Sequence, residues 1–321
     1  MLFTAKQLNG SYLVKRKRFG FLSEIGRNRY LYLLTLPGIL FFFIFNYLPM
    51  IGAVIAFKDY SITKGIWASP WTGFSNFEFF FTSGHAARVT FNTVLLNSVF
   101  ILLGTILQIT IAILLDELKS RTFKKISQSV IFLPYFMSWV VVGVISLSFF
   151  DTQTGMINVM LKNLGLEPVS WYTRADVWRP LLAVFYAWKW TGYGAVIYLA
   201  VITGIDETYY EAAVIDGAGR WQQIRHITIP FLSTTVIVLI LLAIGRIFYG
   251  DFGMIYGLIG DNGMLFKTTD VIDTYVYRAL RQLGDFGMAA AVGLYQSVMG
   301  FILVLVSNHL ARRYREESAL F

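Results

Sequence analysis

The chain alternates long apolar runs with short polar connections, and this rhythm predicts membrane-spanning helices. Apolar residues dominate Tyr30–Phe57, Phe91–Leu115, Ile126–Phe150, Arg179–Gly204, Phe231–Ile259 and Gly287–Leu310. Each run reaches the roughly 18–20 residues that a helix needs to cross a hydrocarbon core. In lipid a segment must satisfy its own backbone polar groups, so the runs predict six helices. The strict alternation of a membrane barrel strand is absent from the pattern. Pro37 and Pro49 predict a kink in the first run or an early end near Tyr47, and Pro134 predicts a break in the third.

Between the runs lie polar stretches. Lys58–Thr90 is rich in aromatics suited to a membrane interface. Asp116–Lys125 is a short loop, and Asp151–Trp178 is a mixed loop with a short helix predicted over Met156–Leu164. Gly260–Phe286 reads as a polar-aromatic loop. Residues 1–29 form a basic arm and residues 311–321 a tail.

Composition supports the membrane reading. Hydrophobic residues make up 56% of the chain and charged residues 14%, against about a quarter charged in a soluble domain. No cysteine is present, so disulfides and thiolate metal sites are excluded. The net charge of +8 is informative through its distribution. The arm, the loops 116–125 and 206–230 and the tail hold sixteen Lys and Arg, and the three opposite loops hold eight. The positive-inside rule then places both termini in the cytoplasm. No cleavable signal peptide is expected, because the basic arm lacks an apolar centre and the first run is too long for one.

The polar island Ile205–Pro230 is the most distinctive stretch. Thr208 and Glu211 have capping-box spacing, predicting a short helix from near Tyr209. Tyr209, Ala212, Ala213 and Asp216 would share one face, where two alanines permit close approach. Gly217 and Gly219 are read as positive-φ residues that end the helix and turn the chain. Arg220–Thr228 reads as a second short helix, with Pro230 in the first turn of the next span. By physics alone the segment is either a rigid lever or an amphipathic loop on lipid headgroups. Four acidic residues against two basic ones count against the loop, since anionic lipid repels them.

The spacing carries more. Glu211-Ala212-Ala213, three residues, Gly217, nine residues, then Ile227-x-Ile229-Pro230 resembles the signature of ABC-importer permease subunits, with Ile229 where the family has Leu. The stretches around Tyr47–Gly52, Ile55–Tyr60, Ser69–Gly73, Asn76–Phe81, Phe132–Val140, Tyr210–Ile224 and Asp270–Arg278 resemble permeases of the complex oligo- and polysaccharide branch. Within that branch the likeness extends to the larger permease subunit of bacterial alginate importers. This resemblance implies an all-α type I importer permease in the bacterial inner membrane: a five-helix core over 91–310 preceded by residues 30–90 with one extra span. It implies that Glu211, Ala212, Ala213, Asp216, Gly217, Ile227 and Pro230 belong to a coupling helix that docks on a separate ATPase. The implied partners are a second, homologous permease, two ATPase subunits and an extracytoplasmic solute-binding protein, with no nucleic acid. No cofactor is implied for this chain; ATP and Mg would be bound by the ATPases.

No catalytic constellation is present. The Gly-Lys pair of a phosphate-binding loop is missing, and His85, His226 and His309 are too scattered for a metal cluster. Charged residues inside spans are costly and mark function by default, which singles out Lys189, Arg246 and Asp251. With Trp139, Tyr186, Trp188, Trp190, Tyr193, Tyr249, Tyr295 and Gln296 they form a candidate sugar path, since aromatic faces stack on pyranose rings. Snorkelling of the charges, pairing with another subunit and lipid-facing aromatics are the alternatives. Gly192, Gly194, Gly293 and Gly300 are expected at close helix contacts. An ion-coupled secondary transporter and a glycosyltransferase scaffold are the other classes considered, and no cytoplasmic segment is long enough for a sugar-nucleotide site.

Overall fold

The computed structural model describes the backbone of residues 5–8, 11–14 and 28–314, with side chains described from residue 28 to 309 and at 312. The arginines and lysines of the arm between 15 and 27, and Arg315 of the tail, lie outside the described residues. The chain divides into two units, Met1–Val54 and Ile55–Phe321.

The first unit departs once from an all-α reading. Strands β1 (Ala5–Leu8) and β2 (Ser11–Val14) pair antiparallel, with Ala5 opposite Val14. The dipeptide Asn9-Gly10 between them is a strong hairpin signal. Helix α1 (Arg29–Phe42) carries Pro37 in its interior. The run changes to a π-helical turn at Phe43–Tyr47 and a 3₁₀ stretch over Leu48–Phe57, so it continues past Tyr47.

The second unit is helical. Helix α2 (His85–Asp116) is followed by α3 (Arg121–Phe132), which ends in a 3₁₀ turn at Leu133–Phe136. Helix α4 (Trp139–Phe150) then leaves at 96°. The expected break is present, but the turn completes at Met137–Ser138, after Pro134. Helix α5 (Ala175–Ile202) packs lengthwise against α2. Gly192 and Gly194 permit close approaches: a Cβ on Gly192 would lie 2.1 Å from the Ile131 carbonyl, and one on Gly194 2.1 Å from the Gln108 side chain. Gly300 makes only ordinary contact and Gly293 faces open space, so these two do not serve helix packing.

Helix α6 (Glu207–Ile215) is followed by α7 (Arg220–Ile244), and α8 (Phe252–Ile259) comes after a break. The single fifth span expected over Phe231–Ile259 is therefore two helices. Asp251 caps α8 by accepting the Met254 N–H at 2.9 Å, which starts a new helix where composition alone reads an unbroken one. The expected loop Gly260–Phe286 contains a short helix at Phe266–Thr269 and α9 (Ile272–Arg281). Helix α10 (Phe286–Tyr314) is the last described element.

Three apolar clusters hold this unit. One joins Leu96 and Phe100 of α2 to Trp178 and Leu182 of α5 and to Met254 and Leu258 of α8. A second gathers Phe80, Val89, Ile272, Tyr275, Met288 and Val292. The third joins Ala112 and Leu115 to Ala195, Tyr198, Leu199 and Leu232 near the island. Among the described residues, four helical runs are long and apolar enough to span: Arg29–Phe57, His85–Asp116, Arg220–Ile244 and Phe286–His309; the bent pair α3–α4 adds a fifth if taken as one span. A sixth is not reached on this measure, because the polar and aromatic stretch Trp188–Gly194 dilutes α5.

Candidate coupling surface and substrate path

The island forms a helix, a turn and a helix, as its punctuation predicts, with different boundaries. Asp206, not Thr208, is the N-cap of α6: its Oδ1 accepts the Thr208 N–H at 3.0 Å. This contact and the Thr208 hydroxyl hold the Asp206 carboxyl below its usual range. An acid two residues nearer the preceding helix satisfies the free N–H groups directly, so the helix begins earlier. Gly217 takes φ +80° and terminates α6, where the Ala218 N–H reaches the Ala213 carbonyl at 2.8 Å. Gly219 has φ −70° and supplies no left-handed turn; its N–H donates to Gln222 Oε1 at 2.8 Å and opens α7.

Helix α7 does not stop before the membrane run. It passes from Arg220–Gln223 through a π-helical turn at Ile224–Thr228 into Ile229–Ile244. Pro230 is therefore inside a continuous helical run. A proline lacks an N–H and crowds the carbonyl four residues earlier. The wider π turn immediately before it relieves that conflict.

The inward face of α6 is set by Tyr210 and Ala213, both partly covered, while Ala212 and Asp216 are exposed. Of the four residues expected to share a face, Tyr209, Ala212 and Asp216 are exposed and Ala213 is partly covered. Tyr210 Oη lies 3.0 Å from Thr228 Oγ1, and Gln223 Nε2 donates to the Ala218 carbonyl at 3.0 Å. These bonds clamp the turn to α7. Val214, Ile215 and Trp221 are exposed, Ile215 at 85%. Glu211 is exposed too, and Ile227 is half-buried. Beside α6 lies a cleft of about 1190 Å³ lined by Glu207, Tyr210, Glu211 and Arg220, with Asp116 at the end of α2 and Lys124 of α3. Arg220 Nε is 3.6 Å from Glu117 Oε2 across it.

Part of the predicted sugar path is brought together around the α3–α4 bend. Tyr193 stacks on Tyr135 at 4.6 Å, and Trp190 meets Tyr135, Tyr186 and Tyr193. Tyr186 stacks on Phe100 at 4.5 Å. Lys189 is buried, and its Nζ donates to the carbonyls of Pro134, Tyr135 and Met137. It is neither snorkelling nor free. Trp139 lies under that ammonium at 5.0 Å, and its Nε1 donates to Asp251 Oδ2 at 3.1 Å. Trp188 is exposed on another face of α5.

The remaining candidates are placed elsewhere. Arg246 is exposed in the turn between α7 and α8. Tyr249 is partly exposed and its hydroxyl faces Ser297 at 3.4 Å. Tyr295 packs on Phe80 and Phe81, and its hydroxyl meets Thr90. Gln296 is buried and donates to the Phe248 carbonyl at 2.7 Å. Both act as packing and structural groups here. One cluster escapes sequence reading: Phe252 stacks on Tyr256, and both meet Tyr277 at 5.0 and 4.9 Å. The i, i+4 spacing of Phe252 and Tyr256 is visible in the chain, but Tyr277 reaches them only through the fold.

The same combination of helices occurs in known proteins. A crystal structure of a bacterial alginate ABC transporter in complex with alginate pentasaccharide-bound periplasmic protein contains a chain that matches with a TM-score of 0.83 and 35% identity, over 92% of this chain and 98% of that one. The polygalacturonan/rhamnogalacturonan transport system permease protein YteP of Bacillus subtilis is 37% identical over 94% of each chain. Protein LplB of the same organism is 38% identical over 97% of this chain and 98% of its own length. The family model described as binding-protein-dependent transport system inner membrane component matches residues 108–316, which cover α3 to α10 and the end of α2. With the Glu211–Pro230 island inside that match, and relatives aligned over nearly their whole length, the chain belongs to the family of binding-protein-dependent transport system inner membrane components.

Proposed function

We propose that this chain is the permease subunit of an ATP-driven importer of acidic oligo- or polysaccharides. The observation that carries the mechanism is the continuity of α7. The segment that would dock on an ATPase is joined by one helix to the membrane run that would reorient. Clamped by Tyr210–Thr228 and Gln223–Ala218, the island would transmit motion without folding on itself. In this reading two ATPase subunits approach on binding ATP, α6 moves with them, and α5 and α7 tilt in alternating access. Glu211, Ala212, Ala213, Asp216, Gly217, Ile227 and Pro230 form the coupling segment, and the core domain spans 91–310. The second permease is a homologous, different chain, both termini are cytoplasmic, and a solute-binding protein delivers substrate from outside.

The substrate class is supported by the relatives' names. Polygalacturonan, rhamnogalacturonan and alginate all contain uronate carboxylates. The decisive experiment is uptake by proteoliposomes holding the complete transporter with its binding protein. Oligouronates should enter in an ATP-dependent, vanadate-sensitive way, and neutral oligosaccharides of equal length should not. Glu211→Lys or Gly217→Pro should abolish uptake while the complex remains in the membrane. Unimpaired uptake by both variants would refute the coupling role, and preference for neutral glycans would refute the substrate class.

A further inference from the structure

The second unit contains two broken helical runs, and one chain of side chains joins the breaks. The first break lies between the 3₁₀ turn Leu133–Phe136 and α4, where Ser138 caps the new helix by accepting the Val141 N–H. The second lies between α7 and α8, where Asp251 caps the new helix. Lys189 of α5 stands at the first break and Asp251 at the second, with Trp139 between them.

Lys189 suits this place for a chemical reason. An ammonium has three donors and no acceptor, and three carbonyls converge on it. These carbonyls end a helical run, where the backbone carries partial negative charge. Being 5% exposed, the charge would be very costly to bury without such partners. The indole of Trp139 adds a cation–π face on one side and gives its N–H to Asp251 on the other. Asp251 then spends its other oxygen on the α8 N-terminus. Past the breaks the backbones touch: a Cβ on Gly143 would lie 2.1 Å from the Gly257 carbonyl, and one on Gly257 2.8 Å from the Trp139 carbonyl.

We propose that Lys189 is a positioning residue: through Trp139 and Asp251 it fastens the two helix breaks, so that α4 and α8 move as one body on the lever formed by α7. Lys189 and Asp251 would then set geometry and not touch the sugar. The fastening itself stands on the contacts above; its consequence for transport rests on the function proposed for the chain.

The chain has no cysteine, so spin-label pairs can be introduced directly into the full-length protein in nanodiscs. Labels at the exposed positions Val130 and Leu147 report the α3–α4 bend, and labels at Leu147 and at Met264, in the loop just past the end of α8, report the α4–α8 pairing. Lys189→Met should broaden both distance distributions, as should Asp251→Ala. Trp139→Phe keeps the ring under Lys189 but removes the donor to Asp251, and should broaden the second pair. Asp251→Asn keeps one acceptor oxygen for the two donors and should broaden the second pair less than Asp251→Ala. In the reconstituted transporter Lys189→Met should lower maximal uptake roughly tenfold, the ratio that about 1.4 kcal/mol of lost positioning represents, with KM unchanged. Unchanged distances in Lys189→Met overturn the proposal, or unchanged distances in Asp251→Ala and Trp139→Phe if that variant fails to insert. A raised KM with unchanged distances overturns it in favour of direct substrate contact. A wild-type transporter that moves no glycan would refute the proposed function, while the distances would still decide the fastening.

Discussion

Tyr210 Oη and Thr228 Oγ1 meet at 3.0 Å across the Gly217 turn, tying α6 to the part of α7 that enters the membrane run. The bond sits where a pull on α6 would otherwise open the turn. Tyr210→Phe removes it while keeping the ring. Such a bond contributes about 0.5–1.5 kcal/mol. The variant should keep ATP hydrolysis yet move fewer substrate molecules per ATP, measured as the ratio of uptake to phosphate release.

The two glycines of the turn should behave differently. Gly217 has φ +80°, and a Cβ placed on it would meet nothing within 4 Å, so the strain of a substitution is conformational only. Gly217→Ala should destabilise the turn by roughly 1–2 kcal/mol. Gly219 has φ −70° and caps α7, so Gly219→Ala carries no left-handed strain and should cost less, through the poorer cap alone. Thermal unfolding of the two variants in the same detergent separates them.

Val214, Ile215 and Trp221 are exposed apolar side chains of the island, with Val214 and Ile215 on the wall of the cleft beside α6. Trp is enriched among interface anchors, which sit in fully desolvated contacts once a partner covers them. Ile215→Asp and Trp221→Ala should leave the melting of the isolated chain unchanged. Each should cost about 2 kcal/mol or more of affinity for the ATPase subunits. Co-purification and binding titration check this.

The cap of α6 predicts a pH dependence. Asp206 is held below its usual range chiefly by the Thr208 N–H. Its stabilising effect is therefore fully present above the ordinary carboxylate range and is lost as pH falls through its lowered value. Between pH 5 and 8, on the order of the working range, protection of the Thr208 amide from hydrogen exchange should be flat after correction for intrinsic rates. It should decline under more acidic conditions. In Asp206→Asn the acidic decline should vanish.

Close backbone contact at Gly143 gives a steric test. A Cβ there meets the Gly257 carbonyl at 2.1 Å, whereas Gly293 has nothing within 4 Å. Gly143→Ala should cost about 1–3 kcal/mol or more through overpacking. Gly293→Ala should be tolerated or slightly stabilising. Their difference in thermal stability is the measurement.

The helical class, most of the apolar runs and the helix-turn-helix shape of the island were legible because each depends on local information. Run length predicts spanning, and capping residues and Gly217 predict the turn. The Glu211–Pro230 spacing carries the likeness to importer permeases without any information on packing. The legible part was coarser than the fold. Thr208 stood in for the actual cap Asp206 because both residues cap helices and spacing alone cannot choose between them. The π turn before Pro230 was invisible, since composition does not record helical pitch.

The candidate sugar path divides along the same line. A charge in an apolar run signals that something pairs with it, and the chain singles out Lys189 and Asp251 for that reason. It cannot say that Lys189 faces three carbonyls of another helix, or that Trp139 joins it to Asp251. Those partners lie 52 to 55 residues away for Lys189 and 112 away for Trp139. Tyr295 and Gln296 were equally plausible as path residues until packing placed them against Phe80 and the Phe248 carbonyl. Hydrophobic pattern and turn chemistry, being local, determined that this is a helical membrane protein with a polar helix-turn-helix island. Only tertiary structure decided which polar groups satisfy each other, because in a low-dielectric interior that outcome depends on distance and direction between groups far apart in the chain.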